Sequence, residues 1–537
     1  MSDPALVRLA AGLELDGFRL RHSSAGPRFR GIVNVLGAPI GLRLEYERAY
    51  AEPPHVVVET PELLPKGVIA HLDEDNDLCV VDRTAYVADR YKLAEQARGI
   101  VRRAKEILAR AGTKAAEAEI AEEFPRHWAG PVVYVAFGPT DGFARPIKDR
   151  TTLDLELCAD AVKPPDLGAA VVATEVRLSF RRGQTRPTTF AEALAWAGSF
   201  DPTLPTRLID RLGAIGPLDP YAIIHAPNGV VGFQLEVSAK GPKVQQSILQ
   251  PKSWRTLLSG QFGRDLPIKR VQGRRVDTEY ILGTNGTGGV APLTGRTIVL
   301  VGCGAIGGFL SASLAQLGAG LGGRLLLIDH DNLSARNTAR HRLGAAFVGR
   351  NKAQACRDSV LADMPGLTIS ALPLKVEQYR VQVMAADLVI DATGEQGVGD
   401  LLNAWCIEGA AAGQGTALLH TWIEGAGAAA RTFVSSDPAF GCYRCLQPDL
   451  ALPERLSALR PGVMAEIETG CGEAPFSPYG PAAPMTAAGL ATTHVLDWAT
   501  GHARPLMRTH RLNLADTVER PPTNPTRSAS CPACATR

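Results

Sequence analysis

The amino-acid sequence predicts a multidomain α/β protein whose carboxy-terminal half is organised around a parallel sheet. Three observations carry that prediction. The chain has 537 residues, too many for one ordinary core, so two to four domains are expected. From Thr297 onward, short apolar runs alternate with helical patterns in a strand–helix–strand rhythm, which implies parallel strands joined by crossovers. The first of those runs, Thr297–Val301, leads at once into Gly302-Cys303-Gly304-Ala305-Ile306-Gly307. That glycine pattern lets a strand turn into a helix around an anion.

Composition excludes several function classes. Hydrophobic residues make up 45% and charged residues 21%, as in ordinary globular proteins. The formal net charge is +2, so no one-signed field argues for nucleic-acid or membrane partners. No apolar run reaches the roughly 18 residues that a transmembrane helix needs. Met1 to Gly12 lack the basic region and apolar stretch of a signal peptide. Together these point to a cytoplasmic protein, where thiols stay reduced. The ten cysteines are therefore read as metal ligands, nucleophiles or core residues.

The elements follow in chain order. Residues 15–62 read as a β-meander, with apolar runs Phe29–Val35, Ile40–Tyr46 and Val56–Val58 separated by Gly37 and by Pro53-Pro54. A helix is predicted from Tyr91 to Ala111, because Ile100, Val101, Ala104, Ile107 and Leu108 recur at helical spacing. Residues 125–285 are α+β, with strands at Val132–Phe137, Ala170–Phe180, Tyr221–His225 and Val230–Val237. The Gly-rich stretch Gly283–Gly289 reads as a linker. The tail, Pro521–Ser530, is rich in Pro, Ser and Thr and reads as extended. Three domains result: 1–120, a linker domain at 121–285, and 286–537.

The third domain carries the clearest chemistry. Thr297–Val301 suits a buried parallel strand, and the helix after the glycines, Gly308 to Leu317, is largely apolar. A second strand, Arg324–Ile328, ends in Asp329, which is placed to bind a ribose hydroxyl. These features alone make NAD the default ligand. The next residues change the reading: Asp331, Asn337 and Arg340 crowd into the run Asp329 to Arg340, with Lys352 just beyond. A dehydrogenase has no evident use for that set, whereas an enzyme handling a triphosphate does. Arg offers bidentate contacts to phosphate oxygens, carboxylates can hold Mg²⁺, and Lys can neutralise a leaving pyrophosphate. The strand Asp387–Ile390 delivers Asp391-Ala392-Thr393-Gly394 at its carboxyl end, where open α/β sheets carry ligands.

This run resembles the ThiF/MoeB/ubiquitin-activating superfamily of Rossmann-like adenylation domains. The shared features are the G-x-G-x-x-G, the D-x-D, the N-x-x-R, a Lys some three helical turns after that Arg, and the D-A-T strand end. The resemblance implies that Gly302, Gly304 and Gly307 cradle ATP, that Asp329 binds ribose, and that Asn337, Arg340 and Lys352 contact the phosphates. In that family a second acid after the D-A-T element binds Mg²⁺. Here Gly394 and Glu395 stand at those places, so Glu395 or Asp331 takes the metal or its binding is altered.

Cys442-Tyr-Arg-Cys445 and Cys531-Pro-Ala-Cys534 are two C-x-x-C pairs. Two such pairs make a closed, structural Cys₄ zinc site. Two redox motifs are the alternative, disfavoured because the second pair sits in an irregular tail rather than at a helix start. The run Cys442 to Asp449 resembles the zinc segment of the MoeB and ThiF enzymes. Zinc there would pin the tail, with Arg527 and Ser528, onto the domain. Cys471 lies in a Gly-flanked loop, and in the superfamily a thiol that accepts the acyl group occupies this place. Cys303, Cys356 and Cys406 read as packing residues.

In the first domain, His71 precedes a polar turn, Asp73 to Asp77, that leads into Leu78-Cys79. That order, after a meander and before long helices, resembles the ubiquitin-conjugating fold. The resemblance makes Cys79 a thioester acceptor, with His71 structural or orienting. The His-Pro-Asn triplet of that fold is absent, and Asn76 is the candidate substitute for its oxyanion-stabilising Asn. The bland reading is a β-hairpin with an ordinary acidic tip and a core cysteine.

The whole chain is thus similar to the fused conjugating–activating proteins of CBASS antiphage operons. The resemblance implies that a ubiquitin-like protein, or a nucleotidyltransferase, ending in glycine is adenylated with ATP and Mg²⁺. It is then captured on Cys471, passed to Cys79 and joined to a target amine. It also implies a homodimer in which Arg270, Arg274 or Arg275 reaches the partner's phosphates. The rival readings are a sulfur-carrier adenylyltransferase with a non-catalytic amino-terminal binding module, a nicotinamide-dependent oxidoreductase and a catalytically dead scaffold.

Overall fold

A computed structural model describes residues 3–21, 26–83, 85–149, 152–157, 168–240, 251–413, 415–435, 437–452, 454–463 and 479–534. For 146–149, 152–157, 239–240 and 251–253 it describes the backbone alone. Cys471 lies outside the described residues. The chain divides into two compact units, Met1–Asp277 and Thr278–Arg537.

The first unit opens with helix α1 (Pro4–Glu14), capped by the Asp3 carboxylate, which accepts from Ala5 N at 2.9 Å. Four antiparallel strands follow in sequential order: β1 (Arg19–Arg21), β2 (Arg28–Val35), β3 (Ala38–Glu45) and β4 (His55–Val58). The expected meander is therefore present, in the register Phe29↔Leu44 and Val33↔Ile40. Alternation puts Phe29, Val33, Ile40, Leu42 and Leu44 into one core. Helix α2 (Leu93–Ala109) closes that core with Ala97, Ile100, Val101, Ala104, Ile107 and Leu108 along one face.

Two short helices, α3 (Lys114–Glu122) and α4 (Phe124–Trp128), lead into a closed barrel. Its strands are β5 (Val132–Val135), β6 (Gly142–Asp149), β7 (Thr152–Leu157), β8 (Ala169–Ala173), β9 (Tyr221–Ala226), β10 (Gly229–Leu235) and β11 (Ile268–Arg275). Their order around the barrel is β10-β11-β5-β7-β6-β8-β9. An aromatic cluster of Phe124, Trp128, Phe180 and Trp196 anchors α4, with Trp128 and Trp196 ring centres 4.5 Å apart. Trp128 is fully buried and donates to Gly232 O at 2.8 Å. The strand expected over 170–180 ends at Ala173. Thr174 N still donates to His225 O at 2.8 Å, and beyond it side chains take over: Thr174 Oγ1 donates to Asp201 at 2.7 Å, and Leu178 N donates to Asn228 Oδ1 at 3.0 Å.

The second unit is a seven-stranded sheet in the order β14-β13-β12-β15-β16-β17-β18. The strands are β12 (Thr297–Val301), β13 (Arg324–Ile328), β14 (Ile369–Leu372), β15 (Leu388–Asp391), β16 (Ala417–Glu424), β17 (Ala429–Ser435) and β18 (Met507–Arg511). Strands β14 to β16 are parallel, as the rhythm from Thr297 predicts. The sheet is not parallel throughout: β17 and β18 run antiparallel. The chain reverses within a tight hairpin, where Gly425 and Gly427 adopt φ of 61° and 82°.

Both faces of the parallel part are covered, which explains its unbroken apolar runs. Along β12, Ile298 and Leu300 join one core while Val299 and Val301 join the other. The first core is filled by α5 (Ala305–Gln316), α6 (Lys352–Asp363) and α8 (Ala482–Ala499) through Leu310, Leu314, Cys356, Val360, Ala487, Ala491 and Val495. The second is filled by α7 (Gln396–Ala411) through Leu402 and Trp405. From β12 the chain runs outward to β13 and β14, then crosses back to β15 on the other side. That reversal opens a crevice at the carboxyl ends of β12 and β15, the usual ligand position of such sheets.

Candidate functional site

The glycine loop occupies this crevice. Gly302 has φ +87°, and a Cβ there would lie 2.9 Å from Thr393 N. A Cβ on Gly307 would lie 1.8 Å from Gly302 O, so α5 can approach β12 only with glycine at that position. Gly304 precedes α5 and has nothing within 4 Å of where a Cβ would sit, leaving its face open. A cavity of about 500 Å³ lies over the loop, within the usual size of small-ligand sites. Of the residues expected at a nucleotide site, Gly302, Gly304, Asp329, Asp331, Arg340 and Lys352 all line it.

The carboxylates here are already organised. Asp329 Oδ2 accepts from Cys303 N at 2.7 Å and Oδ1 accepts from Asp331 N at 2.8 Å, so Asp329 ties the glycine loop to the end of β13. Lys352 Nζ lies 2.7 Å from Asp331 Oδ2. Burial disfavours the charge on Asp331, but the Lys352 ammonium overrides it and holds the carboxyl below its usual range. Lys352 opens helix α6, and the segment between it and Arg340 is a loop with a 3₁₀ turn at Ala345–Phe347, not the helix implied by a spacing of three helical turns. Asn351 anchors that loop, its Nδ2 donating to Asp329 O at 2.8 Å and to Asp331 O at 3.1 Å.

Three expected residues stand elsewhere: Gly307 packs against the loop backbone without lining the cavity, and Asn337 and Asp391 have other partners. Asn337 does not line the cavity; its Oδ1 accepts from Ser334 N and Oγ, both at 3.0 Å, in a local capping box. Asp391 is buried, accepting from Thr393 Oγ1 at 2.7 Å and lying 2.9 Å from His420 Nδ1. It lines a second cavity of about 240 Å³ that shares Gly394, Glu395 and Ile423 with the first. Residues that the sequence reading passed over complete the crevice. The Arg340 guanidinium stacks 4.5 Å over the Tyr479 ring, Val376 and Glu377 form one wall, and behind the glycine loop His341 Nε2 donates to Cys303 O at 2.8 Å. None belongs to a recognisable spacing. Only the neighbouring Asn337 and Arg340 could have drawn attention to His341.

Cys442, Cys445, Cys531 and Cys534 are buried and converge, their Sγ atoms all within 4.8 Å of one another. Individual Sγ separations are 3.8 Å for Cys442–Cys531, 3.9 Å for Cys442–Cys445 and 3.3 Å for Cys445–Cys534. A tetrahedron with metal–sulfur bonds of about 2.3 Å has edges of about 3.8 Å, so this cluster could hold a metal ion. Ser528 N donates to Cys445 Sγ at 3.4 Å and Asn403 Nδ2 to Cys442 Sγ at 3.7 Å. Arg527 bonds to Cys534 O.

Cys79 is half-buried rather than a core residue. The Asp73–Asp77 turn is nonetheless a short hairpin, with bridge Leu72↔Leu78 and Asp73 Oδ1 accepting from Asp75 N and Asp77 N at 2.9 and 2.8 Å. His71 stands at φ +64°, uncommon for a residue with a side chain, and its carbonyl accepts from Cys79 N at 2.8 Å. A hydrogen bond to His71 lowers the Cys79 thiol below its usual range, against burial, and nearby Arg126 adds to the effect. The same bond raises His71. Asn76 sits at φ +62° and does not line the cavity beside Cys79. Of the upstream arginines, Arg270 bonds to Trp128 O, Pro187 O and Glu74, and Arg275 pairs with Asp277 at 2.8 Å, while Arg274 is exposed.

A model of the ThiF family matches residues 277–533. ATP-dependent ubiquitin transferase-like protein Cap2 of Pseudomonas aeruginosa is 30% identical over 502 residues, which cover 89% of this chain and 88% of that protein. The protein of the same name from Vibrio cholerae serotype O1 is 32% identical over 249 residues, 45% of this chain and 41% of its own. The sulfur carrier protein ThiS adenylyltransferase of Escherichia coli is 29% identical over 185 residues, 34% of this chain and 70% of its own. The similarity to the Pseudomonas protein runs through both compact units, and a glycine-loop crevice lies in the ThiF-matching one. The chain belongs to the Cap2 family of ATP-dependent ubiquitin transferase-like proteins and matches the ThiF family over residues 277–533.

Proposed function

We propose that this protein adenylates the carboxyl terminus of a partner protein with ATP, captures it as a thioester on Cys471, passes it to Cys79 and joins it to a target amine. The observation that carries the reading is the single crevice lined by Gly302, Gly304, Asp329, Asp331, Arg340 and Lys352, in a chain that also holds an activated thiol at Cys79. A carboxylate is a poor electrophile, so its oxygen must first attack the α-phosphate. The crevice contributes orientation and positive charge: the loop amides and the α5 amino terminus face the phosphates, and Arg340 and Lys352 neutralise the departing pyrophosphate. Lys352 can swing from Asp331 to phosphate, leaving that carboxylate for a cation. Mg²⁺ held by Asp331 or Glu395 would shield the phosphate charge. A thiol then displaces AMP, because a thiolate is both a good nucleophile and a good leaving group. Zn²⁺ on the four converging cysteines would staple the tail to the sheet.

On this reading residues 1–120 are conjugating-like, 121–285 a linker domain and 286–537 the adenylation domain, acting as a cytoplasmic homodimer in antiphage defence. Fusion raises the effective concentration of one thiol toward the other. The likeness of the second unit to a sulfur-carrier adenylyltransferase supports one alternative, in which the amino-terminal unit only binds. A non-reducing gel separates the two. Wild type, Cys471→Ala and Cys79→Ala are incubated with ATP, Mg²⁺ and a candidate partner protein ending in glycine. A thiol-sensitive adduct on wild type, lost in Cys471→Ala and confined to one site in Cys79→Ala, supports the relay. An adduct indifferent to Cys79 leaves only adenylation.

A further inference from the structure

The environment of Cys79 is only partly supplied by the Leu72–Leu78 hairpin that precedes it. Helices α3 and α4, with Glu123 at their junction, place Glu119, Glu123, Arg126 and His127 around its cavity and the His71 wall. Arg126 Nη2 lies 3.7 Å from Cys79 Sγ. Glu119 Oε2 lies 3.3 Å from His71 Nε2, and its other oxygen is held by Arg110 Nη1 at 2.9 Å. Glu123 stands 4.0 Å from His71 Nδ1. Cys79 and His71 thus line one cavity, Arg126 stands beside the sulfur, and Glu119, itself fixed from behind by Arg110, backs the imidazole. A nucleophile and a base whose ring is oriented by a third group are the components of an activated thiol centre.

We propose that α3 and α4 complete the thiol centre: Glu119 is a positioning residue for the His71 imidazole, and Arg126 is a catalytic residue that holds negative charge on the Cys79 sulfur. The transfer step rests on the proposed function above. In it, the nitrogen of a primary amine attacks the thioester carbonyl carbon; a C–N bond forms and the C–S bond breaks. The electron pair departs on the Cys79 sulfur beside Arg126, and the proton shed by the amine passes to His71. An amide and a thiolate–imidazolium pair result. Asn76 lines no part of this cavity, and Arg126 is the cation beside the departing sulfur. Burial, then Arg186, His71 and Arg126, hold His127 down to about 4, so it stays neutral and does not compete.

The groups facing Cys79 are His71, Asp73, Asp77 and Arg83 from its own side and Glu119, Glu123, Arg126 and His127 from the helices. The test uses the full chain and iodoacetamide, with alkylation of the Cys79 peptide followed by mass spectrometry across pH. Wild-type Cys79 is expected to react at pH 6.5 about tenfold faster than in His71→Asn or Arg126→Gln, since the thiolate is the reactive form. Glu119→Gln should slow it and Glu119→Asp restore it; Arg126→Lys should restore most of the loss. A small-molecule thioester, acetylglycine on mercaptoethanesulfonate, then acylates Cys79, and discharge onto free lysine should fall about tenfold in Arg126→Gln. An alkylation profile like that of an ordinary thiol, or one that none of the variants moves, overturns the inference even where ATP-dependent adducts form on Cys79. A lowered profile without any ATP-dependent adduct retires the relay and leaves this charge arrangement standing.

Discussion

At the residue scale, Asp329 shows how one carboxylate serves two ends. Both of its oxygens already accept backbone N–H groups, one from the glycine loop and one from Asp331. A ribose hydroxyl would use the remaining lone pairs, so substitution should damage both the loop and the ligand contact. Asp329→Ala is expected to weaken ATP binding by about 10- to 100-fold, the size of losing one or two charge-assisted hydrogen bonds; calorimetric titration of ATP measures it. Lys352 differs, since its ammonium rests on Asp331 until a phosphate competes. Lys352→Ala should leave ATP affinity within a few-fold and lower pyrophosphate exchange about 100-fold, the pattern of a group that acts mostly on the transition state. Equal losses in both would make Lys352 a simple binding group. Asp329, Asp331, Arg340 and Lys352 converge on one cavity as their clustering in the sequence implied. Asn337 was misplaced because a carboxamide near a turn can equally cap that turn, as it does at Ser334.

At the element scale, the junction of β12 and α5 depends on backbone touching backbone. A Cβ at Gly307 would overlap Gly302 O at 1.8 Å, which no rotamer change can relieve. Gly307→Ala is therefore expected to lose nucleotide binding and to lower the melting temperature of the second unit, whereas Gly304→Ala, with open space around it, should fold normally. Matching melting curves for the two variants would contradict this account. The tail depends on another kind of junction. Cys531 and Cys534 lie far from Cys442 in the chain, and Ser528 and Arg527 bond to atoms of the cluster. If the site holds zinc, Cys534→Ser should release stoichiometric metal to a colorimetric chelator and cost several kcal/mol of stability. Both C-x-x-C pairs were plain in the sequence. The thiol environment at Cys79 was not, because Glu119 and Arg126 reach it from helices whose own sequences look like ordinary charged surface.

At the scale of the molecule, each unit buries histidines that its fold keeps neutral. Burial, reinforced by nearby arginines, holds His127 and His225 in the first unit and His494 in the second down to about 4. Unfolded, each would titrate near 6.5, so between about 6.5 and 4 the unfolded chain binds protons that the folded chain refuses. Their stability contribution is complete above about pH 6.5 and is lost as the pH falls toward 4, up to about 3 kcal/mol for each histidine. Differential scanning calorimetry should show both units melting at progressively lower temperature over that window, with His225→Gln flattening the dependence of the first. A melting profile flat from pH 7 to 4.5 would refute this.

The sequence by itself determined the meander, the long amphipathic helix, the βαβ rhythm, the glycine loop and the two cysteine pairs. Each is a local pattern in which neighbouring residues share one structural demand: period-2 or helical burial, a left-handed turn, or metal-ligand spacing. Only the tertiary structure decided that seven strands of the first unit close into a barrel, because barrel closure depends on pairings such as β5 with β11, far apart in the chain. It alone decided that β17 and β18 turn the parallel sheet antiparallel at one edge. It also decided that Asp391 pairs with His420 and that Glu119 backs His71. Long-range contacts carry no periodicity along the chain, so a charged residue bound for a site looks, in sequence, like one bound for solvent.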